Sequence, residues 1–200
     1  SGEPLAKRFR FRWEMDRTAK ASPVRRGIIE RSEDDGEVER GTTMALDAAT
    51  LALTARELKA ALTEAKIAKI FEPTRDELVL TLRTRTDTYS LLLSARSGSA
   101  RVCLTEESFE NPETPPSFCM LMRKHLTGGK LLDVRMEPGD RIVYFEFQCT
   151  NEMGDLVRNI LCAELMGRYS NLVLVQNGKI IDALKRVDFE DSDVRQLLPG

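Results

Sequence analysis

Cysteine and histidine are the side chains to weigh first for catalysis or metal binding. The chain has four cysteines and one histidine, namely Cys103, Cys119, Cys149, Cys162 and His125. No two cysteines have the spacing of a metal chelate, and His125 has no Cys or His neighbour that would complete a zinc site. A single histidine would also be the only base for a Ser-His-Asp or Cys-His arrangement. We therefore expect no catalytic residue, no metal and no cofactor, and free thiols in a reducing compartment.

Charged residues at two predicted turns are stronger candidates for ligand binding. Asp140 and Arg141 follow Pro138-Gly139 between two apolar stretches, which is typical of a hairpin tip. Glu164 to Arg168 reads ELMGR, a strand end followed by a glycine turn. A guanidinium offers a planar fork of donors that suits a phosphate or a base edge. On the residues alone, however, both segments are equally well explained as ordinary exposed turns.

Two further sets of charged residues allow two interpretations each. Asp47 stands at the start of a predicted helix, where a carboxylate caps free N–H groups, and it could also brace a binding site. Arg123 and Lys124 precede His125 on a second predicted helix and form a small basic face. That face could contact RNA phosphates or simply be solvated.

The overall composition limits which functions are open to the chain. Apolar residues make up 42% and charged residues 31%, which is ordinary for a globular domain. The formal charge is −2, so any nucleic-acid binding must come from a local patch. The sequence contains no apolar run of about 20 residues and no signal peptide. We expect a cytoplasmic domain that does not enter a membrane.

Residues 1–43 differ in texture from the rest of the chain. They are basic up to Arg31, then acidic up to Arg40, with few aliphatic side chains. Such a segment buries too little apolar surface to offset the entropy of ordering it, so we predict a disordered or non-native N-terminal extension. The string FRFRWEM at 9–15 could grip RNA through its basic and aromatic side chains. The alternative is that Met44 is the natural start and the first 43 residues have no role.

From Met44 onward the periodicity predicts an α+β domain. Residues 46–64 and 117–126 are predicted helices, and the remaining apolar segments alternate with a period of two. Asn177-Gly178 is the strongest hairpin signal. Because the sequence has no βαβ alternation and no nucleotide-binding glycine motif, we predict a mostly antiparallel, β-sandwich-like domain. The predicted strands are 66–71, 77–83, 88–95, 100–106, 130–137, 141–147, 156–165, 171–176 and 179–187.

Five strings of the sequence together resemble one family. In order they are MALDAATLALTARELKAAL (44–62), LLLSARSGSARVCLTEESFENPETPPSFCMLMRKHLTGGKL (91–131), GDRIVYFEF (139–147), ELMGRYSNLVLV (164–175) and VRQLLPG (194–200). The segment 44–200 is similar to the NFACT-N domain, which stands at the front of bacterial RqcH, eukaryotic NEMF and proteins labelled fibronectin-binding protein A. The resemblance implies that the chain is a fragment of a longer protein.

The resemblance also implies a fold and a function. The NFACT-N domain is similar in fold to the N-terminal domain of formamidopyrimidine-DNA glycosylases. Its family acts in ribosome-associated quality control: members bind large ribosomal subunits stalled with peptidyl-tRNA and recruit alanyl-tRNA for C-terminal alanine tailing. Met44-Ala45 lacks the N-terminal amine nucleophile and adjacent acid of a glycosylase, so we expect a binding module and no enzyme. The alternative is a fibronectin-binding surface adhesin, although the chain has no export signal.

Site residues are implied by the same resemblance. Asp140 and Arg141 match the pair that relatives need for tRNA recruitment. The turn after them in the family faces the anticodon, which carries the inference over to Glu164, Met166, Gly167 and Arg168. Asp47 matches an acidic residue whose loss impairs tailing. Tyr169 stands where relatives often carry histidine, and its ring could stack on a base.

Overall fold

The computed structural model describes residues 48–137, 140–186 and 199. The predicted extension 1–43, Met44, Asp47 and the pair Pro138-Gly139 lie outside these residues. Helix α1 spans Ala48–Leu62 and helix α2 spans Ser117–Leu126, as predicted within two residues at each end. The predicted leucine stripe of α1 is its buried face, since Leu51, Leu58 and Leu62 are all in the core.

The strands follow the predicted apolar segments closely. The sheet consists of β1 (Lys66–Thr74), β2 (Glu77–Arg83), β3 (Thr88–Ser94), β4 (Arg101–Thr105), β5 (Lys130–Met136), β6 (Ile142–Thr150), β7 (Leu156–Glu164), β8 (Asn171–Gln176) and β9 (Lys179–Ala183). Within the described residues they form one antiparallel sheet in the order β4-β3-β2-β1-β5-β6-β7-β8-β9. The prediction of a mostly antiparallel α+β fold with two helices is confirmed.

The sheet consists of two parts joined by a narrow junction. Strands β1 and β5 pair at a single position, Lys66 with Lys130, whereas the other neighbouring strands pair over several residues. Leucines of β2 and β3 and phenylalanines of β6 nevertheless belong to one core cluster together with both helices. After β9, the Lys185 ammonium donates to the Ala95 carbonyl at 2.6 Å and lies 3.0 Å from Asp76. The two parts of the sheet therefore enclose a common core, as a sandwich-like domain requires.

Helix α2 is fixed to β1 by polar contacts at both ends. The Glu72 carboxylate accepts the Cys119 N–H in the first turn of the helix. Toward the other end, Arg123 Nε donates to the Ile70 carbonyl at 2.9 Å. Because Pro116 at the N-cap gives no side-chain hydrogen bond, a carboxylate from a distant strand supplies the cap.

Strand β9 is shorter than predicted. It ends at Ala183, whereas the apolar pattern extends to residue 187. The cause is tertiary: the Lys185 N–H donates to Asn171 Oδ1 at 2.9 Å, and its ammonium is drawn to Asp76 and Ala95. In the described part of the chain, no helix has the length and apolar character that crossing a membrane demands.

Candidate nucleic-acid interface

The β5–β6 turn presents Asp140 and Arg141 as the hairpin pattern predicts. The Glu137 N–H donates to the Ile142 carbonyl at 2.9 Å, and the Asp140 N–H donates to the Glu137 carbonyl at 3.2 Å. Asp140 is exposed, and one of its oxygens accepts the Arg141 N–H at 3.3 Å. The Arg141 side chain is half-buried, and its guanidinium has no hydrogen-bond or ion-pair partner among the described residues. An unengaged guanidinium can bind an external anion without first breaking a contact.

The β7–β8 turn lies directly beside the β5–β6 turn. Ile142 pairs with Glu164 in the ladder, and the Leu165 N–H then donates to the Arg141 carbonyl at 2.8 Å. Beyond Leu165 the chain forms a 3-10 turn, Gly167–Tyr169, in which Gly167 has a φ of 60°. Glycine adopts this left-handed conformation without steric cost. We name the two segments 137–141 and 165–170 the paired turns.

Arg168 and Tyr169 form the exposed outer part of the paired turns. The Arg168 guanidinium carbon lies 4.7 Å from the centroid of the Tyr169 ring, and Arg168 Nη2 donates to the Tyr169 hydroxyl at 2.6 Å. The Tyr169 side chain is 61% exposed. This geometry is a cation–π pair on the surface of the protein.

Two other predicted site residues are less accessible. Glu164 is 1% exposed and lies between Ile142 and Asn171 in the ladder, so its side chain does not reach a ligand on the surface. Met166 is half-buried at the start of the 3-10 turn. Their position supports the paired turns from below.

A buried polar layer beneath the β5–β6 turn was missed in the sequence. The Tyr144 hydroxyl donates to the Glu137 carboxylate at 3.4 Å, and the Arg135 guanidinium lies 5.2 Å from the Tyr144 ring centroid. Burial is the main cause that raises the pKa of Tyr144, with Cys162 and Glu137 adding to it, so the hydroxyl remains a donor. The signal available in the sequence was the alternation of charges in DVRME at 133–137, a pattern typical of one strand face.

Arg123 and Lys124 lie at a different end of the domain, which we name the helix end. It comprises the last turn of α2, the β6–β7 turn at 151–155 and the residue Gly129. Lys124 pairs with Glu152 at 3.0 Å. Strand β6 separates this turn from Arg141, and its nine residues at about 3.3 Å each span roughly 27 Å. The basic helix face therefore does not extend the paired turns.

The charges at the helix end are already engaged. Besides its bond to the Ile70 carbonyl, Arg123 lies over the Phe71 ring at 5.8 Å. Burial, followed by the neighbouring Lys124 charge, lowers the pKa of His125. A shallow groove of about 250 Å³ lies here, lined by Lys124, His125, Thr150, Asn151, Glu152, Met153, Val157, Asn159 and Gln176.

The thiols and carboxylates of the described residues form no further site. All four cysteines are free, and Cys119, Cys149 and Cys162 are buried. No group of three or more His, Cys, Asp or Glu side chains in 48–137 and 140–186 could hold a metal ion.

Comparison with known proteins agrees with the resemblance noted in the sequence. The family model described as "NFACT N-terminal and middle domains" matches residues 47–200. The Rqc2 homolog RqcH of Streptococcus suis is 40% identical over 146 residues, which are 72% of this chain and 26% of that protein. The Rqc2 homolog RqcH of Bacillus subtilis is 37% identical over 146 residues, with the same shares covered. The chain thus spans about a quarter of the length of these relatives.

Solved structures share the fold. The N-terminal domain of the fibronectin-binding protein PavA from Streptococcus pneumoniae has a TM-score of 0.71 at 38% identity, over 73% of this chain and 56% of that one. The fibrinogen binding protein of Staphylococcus aureus has a TM-score of 0.66 at 29% identity, over 75% and 53% of the two chains. Sequence, family model and fold agree, and this chain belongs to the family of NFACT N-terminal and middle domains.

Proposed function

We propose that this chain is a tRNA- and ribosome-binding module of a cytoplasmic factor in ribosome-associated quality control. In this proposal it helps to recruit alanyl-tRNA to large subunits stalled with peptidyl-tRNA, so that the stalled chain gains an alanine tail. Membership of the family and the similarity to proteins named RqcH support the cellular role. We also propose that the chain binds without catalysing a reaction, in keeping with its single histidine.

The observation that carries the RNA-binding role is the arrangement of the paired turns. The Leu165–Arg141 hydrogen bond holds an unengaged guanidinium next to the exposed Arg168–Tyr169 pair. The Asp140 carboxylate, exposed at the same tip, could accept from a base amine. RNA bases are readable mainly where they are unstacked, as in an anticodon loop. The paired turns thus combine a phosphate ligand, a base-edge acceptor and an aromatic ring.

The decisive experiment is the substitution Arg141→Ala, with tRNA binding measured by filter binding at low salt. Loss of a charged contact to a phosphate or base edge should weaken binding by about five- to a hundredfold. Arg75→Ala is the matched control, because Arg75 is exposed, removes the same charge and lies on the other part of the sheet. Equal tRNA affinity of Arg141→Ala and Arg75→Ala, with unchanged melting temperatures, would exclude Arg141 from the interface.

Binding to fibronectin is a second candidate. Its support is that the structural neighbour from Streptococcus pneumoniae is named a fibronectin-binding protein. A surface-plasmon measurement with immobilised fibronectin tests it on the same variants. Saturable binding that survives Arg141→Ala would support an adhesin, whereas tRNA binding that requires Arg141 supports the first proposal.

A further inference from the structure

Tyr169 differs from the other aromatic side chains of the domain. Among the described residues it is the only exposed aromatic, since Phe118, Phe145 and Phe147 are buried and the others are half-buried. A single exposed apolar side chain is ordinary on a protein surface. Tyr169 is set apart because it is exposed, paired with a cation and placed on an ordered backbone.

The backbone beneath Tyr169 is anchored on both sides. Leu165 and Ser170 are 2% and 1% exposed. The Tyr169 N–H donates to the Met166 carbonyl at 3.2 Å, and the Ser170 N–H donates to the Gly167 carbonyl at 3.1 Å. Next to them, Asn171 binds the Lys185 backbone through both its amide oxygen and its amide nitrogen. The ring therefore projects from a fixed turn, and little ordering entropy remains to be lost on binding.

We infer that Tyr169 and Arg168 form a stacking platform for one unstacked nucleobase, beside the Asp140–Arg141 tip. This inference rests on the proposed RNA-binding function and adds a division of roles within the site. Stacking tolerates every base because each has a π-face, so the platform supplies affinity without discrimination. Hydrogen bonding to a base edge discriminates, and that role falls to Asp140 and Arg141. The ligand class is an unpaired loop base of RNA with a phosphate within reach of Arg141.

The test uses the full 200-residue chain and two RNA probes. One is a short hairpin with an anticodon-type loop that carries 2-aminopurine, whose fluorescence falls on stacking. The other is the blunt duplex of the same stem, which offers phosphates and no unstacked base. Tyr169→Leu removes the ring, and Tyr169→Phe keeps it. Met153→Ala is the control, because it removes an exposed apolar side chain at the helix end.

Tyr169→Leu should bind the hairpin about 5- to 150-fold more weakly and lose the 2-aminopurine quench. Tyr169→Phe and Met153→Ala should bind as the unsubstituted chain does, and duplex binding should be the same for all variants. Unchanged hairpin affinity of Tyr169→Leu, or equal losses on hairpin and duplex, would overturn the platform. So would quenching by a free purine nucleotide at an affinity equal to that for the hairpin, since the ligand would then be a nucleotide.

Failure of the platform is distinguishable from failure of the proposed function. If Arg141→Ala weakens hairpin binding and Tyr169→Leu does not, the platform is wrong and the RNA-binding role stands. If the unsubstituted chain binds neither probe, both are wrong.

Discussion

The paired turns and the helix end lie at opposite ends of β6 and use their charges in opposite ways. At the helix end, Arg123 is bound to the Ile70 carbonyl and Lys124 to Glu152. At the paired turns, Arg141 has no partner among the described residues, and Arg168 contacts only its neighbour Tyr169. Cations of similar count therefore stabilise the fold at one end and remain available to a ligand at the other. Counting basic residues along the sequence does not distinguish these roles.

The largest expected effect separates the two ends by their packing. At the helix end, a Cβ on Gly129 would lie 2.6 Å from Cys149 Sγ and 2.8 Å from the Leu126 carbonyl oxygen. Gly129→Ala should therefore lower the free energy of unfolding by about 1–3 kcal/mol through overpacking. Gly167→Ala at the paired turns meets no atom within 4 Å and is strained only by its φ of 60°, at about 1 kcal/mol.

Urea denaturation of both glycine variants measures this contrast. Gly129→Ala should leave RNA binding unchanged wherever the protein is folded, whereas Gly167→Ala should weaken it by moving Arg168 and Tyr169. A smaller stability loss for Gly129→Ala than for Gly167→Ala would show that the helix end is less tightly packed than described.

An intermediate effect concerns the two exposed cations that differ in engagement. Arg168→Gln should weaken hairpin binding by roughly fivefold at low salt, since an exposed charged contact contributes about 1 kcal/mol or less. Its salt dependence, d log K/d log[salt], should fall by about 0.7 in magnitude. Lys124→Gln removes the same charge from a cation held by Glu152 and should change neither quantity. Equal losses for the two variants would mean that the binding surface includes the helix end.

The smallest effect is the titration of His125, which NMR reports without ambiguity because it is the only histidine. Burial and Lys124 lower its pKa, and Glu152 opposes them. Lys124→Gln should raise this pKa, and Glu152→Gln should lower it further. A pKa above the ordinary value of about 6.5 would contradict the described burial.

The same titration has a consequence for stability whose sign is determined. A histidine whose pKa is lowered in the folded state favours folding while it is neutral. Its contribution is present above the unfolded pKa of about 6.5 and is lost as the pH falls through the folded value. Between about pH 7 and about pH 5, the chain should lose more stability than His125→Gln does in matched denaturation curves.

The elements of the fold were predictable because each depends on local periodicity. The leucine stripe of α1, the alternation in the strands and Asn177-Gly178 all lie within a few residues of one another, and the structure follows them. The adjacency of Arg141 and Leu165 was expected only through the family resemblance. In the structure it arises from the β6–β7 ladder and one hydrogen bond. Burial of Glu164 and engagement of Arg123 had no local signal, because both depend on neighbours distant in sequence.

By itself the sequence determined the α+β class, the antiparallel hairpins and the turns that carry Asp140, Arg141 and Arg168. Periodicity and turn chemistry act over a few residues, so they can be read without a fold. Only the tertiary structure decided that the strands form one sheet around a common core. It also decided that β9 stops at Ala183 and that the basic residues of α2 are engaged. These outcomes depend on hydrogen bonds and ion pairs between distant segments, whose free energies no local pattern encodes.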